Sequence, residues 1–189
     1  MNRLYQILLP LLGLFFQWVE LTEFLGHRTQ VYKIHVLDGD TIFVRTQLYA
    51  GKLRFMKVDA PEMGQNFLNH EKGAGDYSKD CLKRLLRHKK VTVSFSHRDM
   101  YQRMLGEVYL GETSISFLML EQGCTSLYSM AQFDSKNEKS RYLNAMILAQ
   151  KNRRGIWKRG GIMSPYYYRK QKKGRSSRPS FNKRIAHRQ

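Results

Sequence analysis

The sequence from Val36 to Glu62 reads VLDGDTIFVRTQLYAGKLRFMKVDAPE and predicts two adjacent β-strands. The first strand follows an Asp-Gly-Asp-Thr turn, and its apolar residues recur at every second position, as in a half-buried strand. A second turn near Gly51 leads into a similar strand, which ends at Pro61 because proline cannot donate a hydrogen bond to a sheet. If the strands form a hairpin, the start of the first lies beside the end of the second.

This hairpin places two carboxylates at one end of the predicted sheet. Asp40 and Asp59 would lie close together although 19 residues separate them in the chain. Two carboxylates form a hard-oxygen site, which suits Ca²⁺ or Mg²⁺. A simple turn does not require Arg54 five residues before the second aspartate, or Glu62 just beyond the proline, so the combination favours a functional site.

The stretch resembles the staphylococcal nuclease (thermonuclease) family, in which an Asp-Gly-Asp-Thr turn precedes an Arg-x-x-x-x-Asp-x-Pro-Glu strand end. A third family motif, Asp-x-Tyr-x-Arg, reads Asp99-Met100-Tyr101-Gln102-Arg103 here. The three motifs occur in the family order, and the resemblance extends from about residue 31 to residue 157. It implies a calcium-dependent nuclease that hydrolyses DNA and RNA with little sequence preference and leaves 3′-phosphate ends.

The resemblance implies a metal site and a catalytic set. One divalent cation, Ca²⁺, would be held by two carboxylates and a backbone carbonyl, from Asp40, Asp59 and Ala60. The catalytic candidates are two arginines and a glutamate: Arg54, Arg103 and Glu62. Guanidinium groups match phosphate oxygens and stabilise negative charge that accumulates during hydrolysis. The glutamate would orient or deprotonate the attacking water.

Two tyrosines, Tyr101 and Tyr128, are candidates for substrate binding. The family's best-known member has a lysine before the loop tyrosine, where Met100 stands here, and tyrosines after its second helix that flank the base. The region around Tyr128 has no clean match to those tyrosines. Base stacking therefore departs from the family pattern, whereas the hydrolytic set is complete.

Periodicity along residues 27–158 predicts an α+β domain of five strands and three helices. The strands fall near residues 31–37, 40–49, 53–58, 91–95 and 107–110, and the helices near 76–87, 114–122 and 135–151. We expect a closed five-stranded β-barrel of the oligonucleotide-binding type (OB-fold), which the resemblance also implies. Residues 64–75 are polar and contain glycine, so we expect a mobile surface loop beside the site.

Residues 1–26 form an N-terminal apolar segment. Its apolar run from Leu4 to Val19 is shorter than the roughly twenty residues of a membrane-spanning helix and suits an export signal. We therefore expect an exported protein, secreted or periplasmic. No small-x-small cleavage site follows the run, so an uncleaved membrane anchor and an amphipathic surface helix remain alternatives.

The net charge of +18 is concentrated at the C-terminus. Residues 151–189 contain 14 basic and no acidic side chains, a pattern that favours a polyanion such as nucleic acid or an anionic membrane surface. Residues 159–189 are predicted to be a disordered tail, whose aromatic and cationic residues would stack on bases and contact phosphates, or would bind no dedicated ligand. We expect a monomer.

The two cysteines do not define a disulfide framework. Cys81 lies on the apolar face of a predicted helix and Cys124 follows the next one, so buried free thiols are expected. An exported protein would permit a bridge between them without requiring it. No Cys/His spacing indicates a zinc site.

Two other functions compete with an active nuclease. The first is a non-catalytic nucleic-acid-binding module of the same fold, but relatives of that kind typically lose the acidic residues that this chain keeps. The second is a membrane-associated interaction protein that uses the barrel as a scaffold.

Overall fold

The computed structural model describes residues 27–176. The apolar segment 1–26, on which the export prediction rests, and residues 177–189 of the basic tail lie outside the described residues. Within the described range no helix is long and apolar enough to cross a membrane.

Nine strands and four α-helices occur in the described part of the chain. The strands are β1 (Arg28–Gln30), β2 (Lys33–Val36), β3 (Thr41–Arg45), β4 (Ala50–Phe55), β5 (Val58–Asp59), β6 (Thr92–Arg98), β7 (Met104–Leu110), β8 (Thr113–Ser114) and β9 (Ser126–Leu127). The α-helices are α1 (Ala74–Leu86), α2 (Ile115–Glu121), α3 (Lys136–Lys151) and α4 (Pro165–Ser176), with a 3₁₀-helix η1 at Gly155–Arg159. The predicted α+β class and the first three helices are confirmed.

The strands form an open sheet, whereas the sequence predicted a closed five-stranded barrel. The main sheet has the order β1-β6-β7-β4-β3-β2, with β8 added beside β7, and β5 pairs with β9 in a separate two-stranded sheet. The prediction missed β1, β8 and β9 because strands of two or three residues are too short for an alternating pattern.

The predicted hairpin is present as β3 and β4. Thr41 pairs with Arg54 across the antiparallel ladder, and the backbone N–H of Phe55 donates to the carbonyl of Asp40 over 2.9 Å. Leu53 and Phe55 are fully buried on the core side. Alternation then places Arg54 on the opposite side of β4. This register decides which end of the sheet carries the site.

The parallel pairing of β4 with β7 brings the Asp-x-Tyr-x-Arg loop to the same end. Leu53 pairs with Met104, the first residue of β7, so Arg103 enters the sheet directly beside β4. The loop and the hairpin are about fifty residues apart in sequence, and this pairing alone makes them neighbours.

The two cysteines form a disulfide, which corrects the expectation of free thiols. Cys81 of α1 and Cys124 after α2 are bonded, with their Cα atoms 6.1 Å apart. Both residues are buried in the main core cluster. The bridge forms because α1 and the turn after α2 pack against the same core, which the spacing of the cysteines could not reveal.

Residues Pro165–Ser176 are helical, whereas the sequence predicted a disordered tail over residues 159–189. Helix α4 begins at Pro165 after Ser164, and the N–H of Tyr168 donates to the Ser164 carbonyl over 3.0 Å. A serine followed by proline at the first helical position is a helix-start signal, which the prediction of disorder from composition did not use.

The loop after β5 is held by this returning chain. Phe67 is buried and forms a β-bridge with Ile162, and buried Gln65 donates through Nε2 to the carbonyl of Met163 over 2.6 Å. A salt bridge of 2.5 Å also joins Glu71 to Arg159. The predicted mobile loop at residues 64–75 is therefore anchored, and its last two residues already belong to α1.

Candidate functional site

Arg54 brings the two predicted metal-binding aspartates together. Its Nη1 lies 2.5 Å from Oδ1 of Asp40, and its Nη2 lies 2.8 Å from Oδ1 of Asp59. Each carboxylate side chain is 5 % exposed and the arginine side chain 14 %. Burial opposes the charge of Arg54, but the two aspartates outweigh that effect and raise its pKa. The predicted proximity of Asp40 and Asp59 is thus present in the structure.

Asp40 is the more deeply embedded of the two carboxylates. The N–H of Ala60 donates to its Oδ2 over 2.8 Å, and the hydroxyl of Thr41 donates to its Oδ1 over 3.0 Å. Burial raises the pKa of Asp40 to about 7; the charge of Arg54 counteracts this shift, and the nearby charges of Asp38 and Asp59 add to it. Asp40 is therefore a buried acceptor in a site that favours additional positive charge.

Glu62 and Asp59 share a second arginine, Arg169 of α4. Its Nη1 lies 2.6 Å from Oε1 of Glu62 and 3.1 Å from Oδ1 of Asp59, while Nη2 lies 3.1 Å from Oδ2 of Asp59. These carboxylates outweigh the effect of burial and raise the pKa of Arg169. The predicted catalytic glutamate therefore lies beside a predicted metal ligand, and a residue from the predicted tail links them.

Arg103 lies at the same end of the fold but has a different partner. Its Nε and Nη2 donate to Oδ2 of Asp99 over 2.8 and 2.7 Å. Oδ1 of Asp99 accepts the N–H groups of Tyr101 and Arg103 over 2.8 and 2.9 Å. Burial would raise the pKa of Asp99, but these hydrogen bonds and the charge of Arg103 lower it overall. Asp99, the first residue of the Asp-x-Tyr-x-Arg motif, thus holds the loop in the conformation that positions Arg103, its last residue.

A cavity of about 1380 Å³ lies beside these groups, and among the described residues that line it there is neither Asp40 nor Asp59. Arg54, Glu62 and Arg103 all line it, together with both predicted substrate-binding tyrosines. Tyr101 is 63 % exposed, whereas Tyr128 lies with its ring centroid 5.9 Å from the guanidinium carbon of Arg54. The structure thus places the catalytic candidates and the tyrosines around one space.

The predicted metal ligands are oxygen donors of the type that hard cations prefer, and the structure brings the two carboxylates together. Asp40 and Asp59 direct oxygens to one guanidinium, and the backbone of Ala60 lies against Asp40. In the part of the chain that the structure describes, no group of three or more His, Cys, Asp or Glu side chains is arranged to hold a metal. A cation here would therefore use two carboxylates and complete its coordination with carbonyl, water or phosphate oxygens.

The sequence did not assign a role to Asp99, and it placed Arg169 only among the aromatic and cationic residues of the basic tail. Asp99 was visible as part of a quoted motif, and an aspartate four residues before an arginine in a loop is a recognisable loop anchor. For Arg169 the available signals were the mixture of aromatic and cationic residues around it and the Ser-Pro helix start. No local pattern places it next to Glu62, which is 107 residues earlier.

Buried paired carboxylates, arginines aimed at a basic cavity and a neighbouring glutamate form a site suited to phosphodiester hydrolysis. A family model described as "Staphylococcal nuclease homologue" matches residues 52–159, more than half of the 189 residues. The chain therefore belongs to the staphylococcal nuclease family. Membership confirms the resemblance stated from the motifs, the OB-type fold and the assignment as a nuclease.

Relatives agree with this assignment. An "Uncharacterized endonuclease" of Escherichia coli O157:H7 is 31 % identical over 170 residues, covering 87 % of this chain and 97 % of that protein. The "Micrococcal nuclease" of Shigella flexneri is 28 % identical, covering 74 % of this chain and 80 % of that protein. The "Thermonuclease" of Staphylococcus hyicus is 32 % identical, covering 68 % and 76 %.

Proposed function

We propose that this nuclease hydrolyses phosphodiester bonds of both DNA and RNA with little sequence preference, requires one Ca²⁺ ion, and leaves 3′-phosphate ends. One observation carries the proposal: two buried aspartates converge on Arg54, which lines a large basic cavity together with Glu62. The bound cation would supply Lewis-acid stabilisation of the phosphate and would be held by Asp40, Asp59 and the carbonyl of Ala60.

The protein's own groups account for the remaining steps. Glu62 orients or deprotonates the water that attacks phosphorus. Arg54 and Arg103 line the cavity and neutralise the charge that builds on the phosphate oxygens. The new bond joins the water oxygen to phosphorus, and the bond from phosphorus to the 5′ oxygen breaks. The products are a 3′-phosphate and a 5′-hydroxyl.

The first test is digestion of single-stranded DNA and of RNA with added Ca²⁺, added Mg²⁺ or a chelator. We expect both polymers to be cut, with a requirement for Ca²⁺. An Asp40→Asn/Asp59→Asn variant should lose both cleavage and Ca²⁺ binding measured by calorimetry. Asp76→Asn is the matched control, because Asp76 is an exposed acid in the first turn of α1.

Undiminished cleavage in the chelator would refute the metal requirement. Absence of cleavage under every metal, with tight polynucleotide binding retained, would favour the non-catalytic binding module. End-group analysis of the products, by labelling with a 5′-kinase before and after phosphatase treatment, tests the 3′-phosphate assignment separately.

We also propose that the protein is exported and monomeric. The disulfide between Cys81 and Cys124 supports export, because such bonds persist in oxidising compartments. Cell fractionation with N-terminal sequencing of the mature chain would test export and would distinguish a cleaved signal from an anchor at residues 4–19. Vesicle flotation would test contact of the basic tail with anionic lipid, and size-exclusion chromatography would test the monomeric state.

A further inference from the structure

Helix α4 is held over the active-site end by contacts with the loop that follows Glu62. Gln65, which is 1 % exposed, donates through Nε2 to the carbonyl of Met163 over 2.6 Å. The hydroxyl of Tyr168 donates to the carbonyl of Gly64 over 3.1 Å. These contacts come before and within α4, so the position of the helix relative to Glu62 is set by the fold.

This placement makes α4 one side of the active-site cavity. Among the described residues that line the cavity, eight are cationic and one, Glu62, is acidic. Four of those eight cations belong to α4: Arg169, Lys170, Lys172 and Lys173. Half of the positive charge facing the substrate therefore comes from a helix that lies beyond the three predicted helices of the nuclease domain.

The aromatic lining favours unpaired nucleotides. Tyr166 of α4 and Tyr101 of the Arg103 loop both line the cavity, and they are 52 % and 63 % exposed. Exposed rings among cations stack on bases of any sequence while the cations contact the phosphates. Tyr167, which is also exposed at 59 %, does not line the cavity.

We propose that α4 is the second wall of the substrate groove and binds single-stranded polynucleotide. Arg169 contacts the phosphate beside Glu62, the three lysines contact neighbouring phosphates, and Tyr166 stacks on a base. Arg169 is suited to this position because its guanidinium bridges Asp59 and Glu62 and carries five donors, more than the three hydrogen bonds to those carboxylates use. The inference rests on the nuclease site proposed above.

The lysines are tested by Lys170→Ala/Lys172→Ala/Lys173→Ala in the full-length protein. Fluorescence anisotropy with a labelled oligothymidylate of about 12 nucleotides, in a chelator and over a series of salt concentrations, measures binding without cleavage. We expect the slope of log K against log salt to become shallower by about 2, since each phosphate contact on a single strand contributes about 0.7. Alanine also preserves helix propensity, so α4 should remain folded.

A matched variant removes the same charge elsewhere. Arg87, Lys89 and Lys90 are exposed and lie outside the cavity lining, so their triple alanine variant should keep the wild-type salt slope. Equal slopes for the two triple variants would overturn the proposal, because the effect would then reflect net charge alone.

Stacking is tested by comparing two adjacent tyrosines. Tyr166→Ala should weaken single-strand binding about tenfold, the scale of one lost base stack, whereas Tyr167→Ala should change it less than about twofold by comparison. Tyr166→Phe should restore binding because it keeps the ring. Equal losses for Tyr166→Ala and Tyr167→Ala, or tighter binding of duplex than of single strand, would overturn the assignment of this wall to unpaired bases.

The role of Arg169 is tested by measuring whether its replacement changes KM, kcat or both. Arg169→Ala should raise both the KM and the oligonucleotide Kd measured in chelator, and Arg169→Lys should recover part of each. A rise in kcat with unchanged Kd would overturn the proposal, since Arg169 would then inhibit the reaction by occupying the carboxylates of Asp59 and Glu62. Because binding is measured without metal, loss of the calcium requirement would refute the proposed metal site and leave this inference standing.

Discussion

Replacing Arg54 by methionine should destabilise the protein because it leaves two buried carboxylates without their shared partner. Both aspartate side chains are 5 % exposed, and Arg54 contacts each of them within 2.8 Å. Removing one partner of a buried ion pair typically costs about 3–5 kcal/mol. Arg169 still contacts Asp59, so the uncompensated charge falls mainly on Asp40.

The assay is urea denaturation followed by far-UV circular dichroism, in chelator and at about pH 9, because the raised pKa of Asp40 leaves this carboxylate fully charged in the wild type only above neutrality. We expect the free energy of unfolding to fall by about 3–5 kcal/mol for Arg54→Met. The double variant Arg54→Met/Asp40→Asn should recover more than about half of that loss, because asparagine leaves no buried charge.

Arg103→Met provides the comparison that separates stability from chemistry. Its side chain is 31 % exposed and pairs with Asp99 in a surface loop, so its loss should cost at most about 1 kcal/mol. Its kcat should nevertheless fall at least about 100-fold, the scale of one lost charge-stabilising donor. A destabilisation by Arg54→Met no larger than that by Arg103→Met, or full turnover in folded Arg103→Met, would refute the reasoning.

Three further predictions concern the disulfide, a buried acid and a close glycine contact. Cys81→Ser/Cys124→Ser should lower the free energy of unfolding by about 4 kcal/mol, the chain-entropy value for a loop closed over 43 residues; identical urea midpoints for the variant and the oxidised wild type would contradict this. Burial raises the pKa of Glu107 above its usual 4.5 although hydrogen bonding and a nearby lysine oppose the shift, so the folded state binds this proton more tightly than the unfolded state. The stability of the wild type relative to Glu107→Gln should therefore fall as pH rises from 4.5 through the folded-state pKa, and parallel stability profiles would disagree with it. A Cβ at Gly75 would lie 2.3 Å from the carbonyl oxygen of Glu62, so Gly75→Ala should displace that residue and reduce kcat at least about tenfold; unchanged kcat in a folded variant would show that the contact relaxes harmlessly.

The hairpin and its site could be predicted from the sequence because their determinants are local. Alternating apolar residues define the register of β3 and β4, and that register puts Arg54 opposite Thr41 and next to Asp40. The second strand ends at Phe55, before the predicted stop at Pro61, and the short strand β5 that follows it places Asp59 beside the same arginine. Each of these relations spans at most about twenty residues.

The other half of the site depended on strand pairing that no periodicity encodes. The parallel alignment of β4 with β7 brings Arg103 to the cavity that Arg54 lines. In the sequence, only the resemblance to a family connected those two residues. Local sequence patterns likewise did not predict the order of the strands in the main sheet or the pairing of β5 with β9.

The covalent and ionic contacts between distant segments were decided by the tertiary structure alone. Cys81 and Cys124 become partners only when α1 and the turn after α2 pack on one core, and Arg169 meets Asp59 across 110 residues. Local sequence determines φ, ψ and which face of an element is apolar, and so it determined the hairpin, the first three helices and the acidic end of the sheet. Contacts between elements depend on how the buried faces pack together, and for this reason a segment with the composition of a disordered tail supplies an arginine to the active site.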